Sequence, residues 1–193
     1  LDLLRRLGAE LVPFSPLEDA ALPDGLQGLY LGGGYPELYA RQLSENKTMR
    51  EAVCCAVAGG LPCIAECGGF MYLTGAIGEY PMAGLLPGAC RDMGKLTRFG
   101  YVHLTARQDN LLCRAGESIP AHEFHHWDAE DTGDGFTAEK PSGRSWQCDH
   151  ATKTLYAGFP HFHFYANPSF AVRFYEACRE EGNHAGKNQT DGN

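Results

Sequence analysis

The stretch Leu61-Pro62-Cys63-Ile64-Ala65-Glu66-Cys67-Gly68-Gly69-Phe70-Met71-Tyr72-Leu73 decides how this chain is read. Leu61 to Ala65 is an apolar run of the kind found in strands buried on both faces. Glu66-Cys67-Gly68-Gly69 breaks that run as a tight turn, and Phe70 to Leu73 opens a helix. A sharp strand-to-helix turn lifts the side chain at its apex out of the sheet, the geometry of a nucleophile elbow. Here that side chain is Cys67. The helix N-terminus behind it favours a thiolate. Glycines at 68 and 69 leave the backbone uncovered, so a substrate can approach and the Gly68 N–H can face a developing oxyanion. The competing reading is an inert buried thiol, which is how the other seven of the eight cysteines read.

Outward from this elbow the chain alternates strand and helix. Upstream, Gly28-Leu29-Tyr30-Leu31 is a second buried run that enters Gly32-Gly33-Gly34. Three glycines after a strand suit a phosphate cradle, but the Lys-Ser/Thr of a P-loop is missing and Tyr35-Pro36-Glu37 follows instead. A backbone N–H that completes an oxyanion hole fits this loop better. A helix is expected after Pro36. Another is expected from Ser44 to Gly59, with a cap in Ser44-Glu45-Asn46-Lys47 and one apolar face formed by Met49, Val53, Ala56 and Val57. Glu10 to Phe14 reads as a short strand, and Leu1 to Leu7 as the end of a helix stopped by Gly8. Downstream, from about residue 80 to 150, turn residues punctuate short β-like runs such as Tyr101 to Thr105. Thr154 to Phe159 is a last core strand, Pro168 to Arg179 a closing helix, and residues 181–193 a polar tail expected to be disordered. The pattern predicts an α/β fold, a mostly parallel central sheet flanked by helices, with additional antiparallel strands in the second half. In such folds ligands bind at the carboxyl ends of the strands. Gly32–Gly34, Cys67 and His161 all fall there.

Length and charge narrow the function. The 193 residues suit one domain, taken as residues 1–180. Sixteen basic against twenty-four acidic residues leave a net charge of −8, which argues against non-specific binding to nucleic acid or to an anionic membrane. No apolar run is long enough to span a bilayer, and no signal segment opens the chain. Cys54 and Cys55 are adjacent, so the cysteines read as reduced thiols of a cytoplasmic protein rather than a disulfide framework. The chain begins at Leu1 in what reads as mid-helix, so a longer polypeptide is expected, of which this is a part.

A thiolate nucleophile needs a proton partner. His161 follows the last core strand and is placed to take the thiol proton and return it to a leaving amine. His163 lies two residues on, toward the same face if the strand continues, and is a candidate to orient it. A structural histidine in a His-Phe-His-Phe strand is the alternative.

Four motifs in this order, Tyr30-Leu31-Gly32-Gly33-Gly34-Tyr35-Pro36-Glu37, Ala65-Glu66-Cys67-Gly68-Gly69-Phe70-Met71-Tyr72-Leu73, His122-Glu123-Phe124-His125 and His161-Phe162-His163-Phe164, resemble the glutamine amidotransferase domain of the cobyrinate a,c-diamide synthases, within the class I (triad-type) superfamily. The resemblance spans roughly residues 8–180. It implies a flavodoxin-like fold and a glutaminase in which Cys67 forms a γ-glutamyl thioester and His161 is the catalytic histidine. Gly33 or Gly34, with Gly68, would supply oxyanion N–H groups. Glutamine is then the substrate, and ammonia passes to an ATP-dependent synthetase domain of the same polypeptide. ATP and Mg²⁺ belong to that domain, which amidates the a- and c-acetate carboxylates of a tetrapyrrole-derived acid; nothing in this chain is a phosphate-binding loop. The same chemistry serving nickel sirohydrochlorin amidation or cobyric acid synthesis stays open, as does a non-catalytic structural or metal-binding domain.

Three positions depart from the pattern. Many relatives in the superfamily carry Glu two residues after the histidine, where this chain has His163. Gly32 stands where proline is usual, and Pro160 precedes His161. Two further clusters have ordinary alternatives. His122-Glu123-Phe124-His125-His126, with Cys148 and His150, offers zinc-type ligands without a C-x-x-C or His-Glu-x-x-His order, so no metal is expected. Arg91, Lys95, Arg98 and Arg107 would suit the carboxylates of a tetrapyrrole acid, or form a solvated face.

Overall fold

A computed structural model describes the backbone of residues 1–190 and the side chains of residues 1–182. In chain order the elements are α1 (Asp2–Arg6), β1 (Leu29–Leu31), a 3-10 turn (Pro36–Tyr39), α2 (Ala40–Glu45), α3 (Lys47–Ala58), β2 (Cys63–Glu66), α4 (Gly68–Leu73), β3 (Ala76–Ile77), β4 (Tyr80–Pro81), β5 (Ala89–Asp92), β6 (Arg98–Ala106), β7 (Ser118–His125), β8 (Trp127–Ala129), β9 (Phe136–Glu139), β10 (Ser145–Cys148), β11 (His150–Ala151), β12 (Leu155–Gly158), β13 (His161–Phe162), a second 3-10 turn (Phe164–Ala166) and α5 (Pro168–Thr190).

The two apolar runs and the last core strand form one sheet, in the order β1-β2-β12-β11. β1, β2 and β12 are parallel; β11 is the antiparallel edge. Successive residues of a strand face opposite sides, and this alternation divides the interior in two. Leu29, Leu31, Cys63, Ala65, Leu155 and Ala157 pack against the helical layer through Met49, Val53 and Phe70. Ile64 and Tyr156 face the other way, onto Val102, Leu104, Ile119, Phe136 and Phe170. That second layer is an antiparallel sheet, β10-β9-β6-β7-β13. Its long strand β7 alternates exposed and buried residues throughout, the signature of a sheet wet on one face. A smaller sheet, β4-β3-β5-β8, closes the end beside α4.

The expected α/β architecture is present, as is the antiparallel second half. Some boundaries differ for local reasons. The helix expected over 44–59 is two helices that meet at Asn46. Its Oδ1 accepts the Met49 N–H at 3.4 Å and caps α3, while its Nδ2 donates to the carbonyls of Pro16 at 2.9 Å and Asp19 at 2.8 Å. One side chain thus starts a helix and pins the preceding loop. Glu10 to Phe14 is not a strand: Pro13 brings no backbone donor, and Val12 is half exposed. α5 runs Pro168–Thr190, past the end expected at Arg179; residues 191–193 of the expected tail lie outside the described residues. Among the described residues no helix is long and apolar enough to cross a membrane.

Candidate active site

Cys67 sits where β2 ends and α4 begins, with φ +50° and ψ −104°. A side-chain-bearing residue rarely adopts this conformation. Neighbouring backbone holds it there: the Cys67 N–H donates to the Gly158 carbonyl at 2.7 Å, and its own carbonyl accepts the Met71 N–H at 2.9 Å. The two following glycines are required by packing. A Cβ at Gly69 would overlap the Leu31 backbone, and one at Gly68 would stand 3.0 Å from the Gly34 nitrogen and 2.9 Å from Pro36 Cδ. The elbow is therefore pressed against the Gly32–Gly34 loop at the end of β1.

His161 arrives from the other layer. β13 pairs antiparallel with β7, so that His161 stands opposite His122. The two imidazoles stack, with centroids 5.2 Å apart and planes 25° from parallel. The Cε1 edge of the His161 ring lies against Gly33: a Cβ there would come within 2.5 Å of Cε1. Cys67 and, next, Glu66 hold the imidazole in its charged form, outweighing its partial burial and pushing its pKa up to about 10. His122 is moved the opposite way, by burial first and then by the neighbouring His161 charge.

Glu66 connects the two layers. It follows Ile64 by two residues, so it shares the face that looks toward the antiparallel sheet. The carboxylate is 5% exposed. Its Oε2 accepts the Tyr30 hydroxyl at 2.9 Å and lies 3.5 Å from His161 Nδ1; its Oε1 accepts the Phe162 N–H at 3.3 Å. Burial, followed by the Glu66 carboxylate, pushes the Tyr30 phenol well up, so it remains a donor.

The structure thus brings together Cys67, His161, Gly33, Gly34 and Gly68. His163 is not brought to the imidazole: it is exposed and stacks on Tyr165 at 5.5 Å, because the chain leaves β13 after Phe162 and turns into a 3-10 turn. The acid on His161 Nδ1 is Glu66. The sequence showed Glu66 inside the elbow motif but not its task; a carboxylate at the end of a fully buried strand was the available signal. His122 was visible only as part of a histidine-rich segment.

That segment divides among separate environments. His125 Nδ1 donates to the Trp127 carbonyl at 2.7 Å, and its ring stacks on Phe159 at 3.9 Å. His150 lies 3.7 Å from Asp131, and burial pushes the Cys148 thiol well up. Among the described residues no group of three or more such side chains is placed to hold a metal ion. The basic stretch is dispersed as well. Arg91 pairs with Glu130 at 2.6 Å, Arg107 with Asp134 at 3.3 Å, and Arg98 lies over the Trp146 ring at 4.3 Å.

A strained cysteine at an elbow, an imidazole braced by an acid and two glycine-lined backbone segments form the frame of an acyl-transfer site. A solved structure described as a glutamine amidotransferase superposes over 92% of this chain and 90% of its own, with a TM-score of 0.63 at 19% identity. The cobyrinate a,c-diamide synthase of Caldanaerobacter subterraneus subsp. tengcongensis is 39% identical over 190 residues, which is 94% of this chain and 42% of that protein. The synthase of Listeria innocua is 37% identical over 186 residues, 92% of this chain and 41% of its own length. The chain therefore spans about two fifths of the length of these curated relatives. The family model for the CobB/CobQ-like glutamine amidotransferase domain matches residues 1–169, the stretch that holds the elbow, the glycine loop and His161, and the chain belongs to that family.

Proposed function

We propose that this chain hydrolyses glutamine through a cysteinyl thioester and supplies the ammonia for amidation of the a- and c-acetate carboxylates of cobyrinate. The observation that carries the reading is the meeting of Cys67, at positive φ, with His161 and the glycine loop at one sheet edge.

The Cys67 thiolate attacks the glutamine carboxamide carbon, and a C–S bond forms as the carbonyl oxygen takes the negative charge. N–H groups of Gly68 and of Gly33 or Gly34 stabilise that oxyanion. The His161 imidazolium donates its proton to the departing nitrogen, the C–N bond breaks and ammonia leaves. The neutral imidazole then takes a proton from water, whose oxygen attacks the thioester carbon. The C–S bond breaks, glutamate departs and the thiolate–imidazolium pair is restored.

Ammonia passes to an ATP-dependent synthetase domain, which holds ATP and Mg²⁺ and activates the acceptor carboxylates. The relatives' names favour cobyrinate over nickel sirohydrochlorin or cobyric acid as the acceptor. A non-catalytic role is disfavoured by the strain at Cys67, which a merely buried thiol does not need.

Labelling with a glutamine analogue that carries an electrophilic side chain tests the glutaminase reading. Mass spectrometry should find Cys67 modified and the other cysteines untouched. Burial pushes Cys63, Cys90 and Cys178 up to about 12 and Cys113 to about 11, which leaves them poorly nucleophilic at neutral pH. Modification at another cysteine, or none at Cys67, overturns the reading.

A further inference from the structure

We propose that Glu66, the residue immediately before the nucleophile, is the positioning acid of the site, holding the His161 imidazole through Nδ1 in the place where an acid two residues after the histidine would act. The inference rests on the glutaminase reading and deepens it.

Strand geometry explains why a neighbour of Cys67 can do this. Side chains of successive strand residues diverge, so Glu66 points toward the antiparallel layer while the backbone turns at Cys67. His161 reaches that layer's edge by its pairing with His122. The acid and the sulfur therefore approach one imidazole from different sides. With Nδ1 facing Glu66 Oε2 at 3.5 Å, Nε2 is left for the sulfur and the substrate. A carboxylate in this position selects the tautomer and ring angle that the chemistry needs, and stabilises the imidazolium.

The carboxylate is itself fixed. Tyr30 OH at 2.9 Å and the Phe162 N–H at 3.3 Å each occupy one oxygen. Tyr30 stands opposite Ile64 in the β1–β2 register, two residues before Glu66 on the same face. The Phe162 N–H belongs to the residue after His161, so a single carboxylate grips both the ring and the backbone of β13. Among the described residues no other acid faces this imidazole. Cys67 comes from the elbow, uncharged Gly33 from the β1 loop, and the stacked His122 from β7. Asp149 and Tyr156, behind Glu66, are buried, and burial pushes both toward their neutral forms.

The test uses the full chain, with Glu66→Gln and Glu66→Asp as variants. NMR titration of His161 in a Cys67→Ala background removes the sulfur's influence. The midpoint should lie above the ordinary imidazole value, fall when Glu66→Gln is added, and be held up when Glu66→Asp is added instead. In proteins that retain Cys67, Glu66→Gln should lower kcat for glutamine hydrolysis by about 10–10³-fold, with KM changed by less than about threefold. It should also move the alkaline limb of the pH profile to lower pH, and Glu66→Asp should recover part of both. An unchanged His161 midpoint and pH limb in Glu66→Gln overturns the positioning role while Cys67 labelling keeps the glutaminase reading intact. Failure of the electrophilic analogue to label Cys67 in the unmodified chain removes both. If Glu66→Gln does not fold, Glu66→Ala is read in the same way: a folded protein with neither a lowered kcat nor a shifted limb rejects the role.

Discussion

Of the three acid–imidazole pairs among the described residues, Glu66–His161, Glu123–His125 and Asp131–His150, the first two contrast most, and only Glu66–His161 lies against Cys67 and the glycine loop. Glu66 ends the inner strand β2, and its carboxylate lies 3.5 Å from His161, whose side chain is 24% exposed. Both carboxylate oxygens are engaged, and the Cε1 edge of the ring lies against the glycine loop. Glu123 and His125 are 3.8 Å apart and 2–3% exposed. There Glu123 Oε2 and His125 Nε2 have no hydrogen-bond partner among the described residues, and the ring is covered by Phe159 in near-parallel stacking, 6° from coplanar. The same two residue types therefore serve opposite ends. A pair that solvent reaches can exchange a proton with a substrate, whereas a fully buried pair fills space and braces neighbouring strands.

Substitution separates the two. His161→Ala should lower the glutaminase rate by about 10²–10⁴, measured as glutamate release, while costing less stability than the change at its enclosed counterpart. His125→Ala should do the reverse: about 2–4 kcal/mol lost in urea unfolding through the emptied contact with Phe159, with the folded fraction keeping its glutaminase rate within a few-fold. Equal effects on rate from both variants would break the comparison.

The contact between the His161 ring and the glycine loop can be tested at Gly33. Its φ is not in the left-handed region, so Gly33→Ala changes packing rather than backbone strain. The added methyl would stand 2.5 Å from His161 Cε1, and the ring must move. A loss of about 10² in kcat is expected for a displacement near 1 Å, with the unfolding midpoint nearly unchanged; full activity would mean that the ring need not sit against the loop.

A last test is a pH signature in stability. The His161 pKa is raised to about 10 in the folded chain, against about 6.5 for an unperturbed imidazole. A group whose pKa is raised by folding adds stability that is fully present below its unfolded value and is lost as pH climbs toward the folded one. The difference in urea midpoint between the unmodified chain and His161→Ala should thus be constant below about pH 6.5 and narrow between there and about pH 10. A gap that stays constant across that window would show that the charge is not stabilised by Cys67 and Glu66.

Legibility in the sequence followed the distance over which each feature is specified. The elbow was legible because its causes are local: an apolar run, one cysteine, two glycines and a short helical segment, contiguous from Leu61 to Leu73. The glycine loop was legible for the same reason. The strand assigned to Glu10–Phe14 failed because a β-like composition does not form a ladder where Pro13 removes a donor. His163 is a candidate orienting group by its spacing from His161 only if the strand continues. It does not, since β13 ends at Phe162.

From the sequence alone came the elbow cysteine, its turn, the order of strands and helices and the histidine that follows the last core strand, all properties of short contiguous segments. The tertiary structure alone decided which acid braces that histidine and which second imidazole stacks on it. Glu66 and Phe162 are 96 residues apart in the chain, and their meeting depends on the register of an antiparallel sheet against a parallel one. Pairing across that distance is settled by how two layers pack, and no local pattern encodes it.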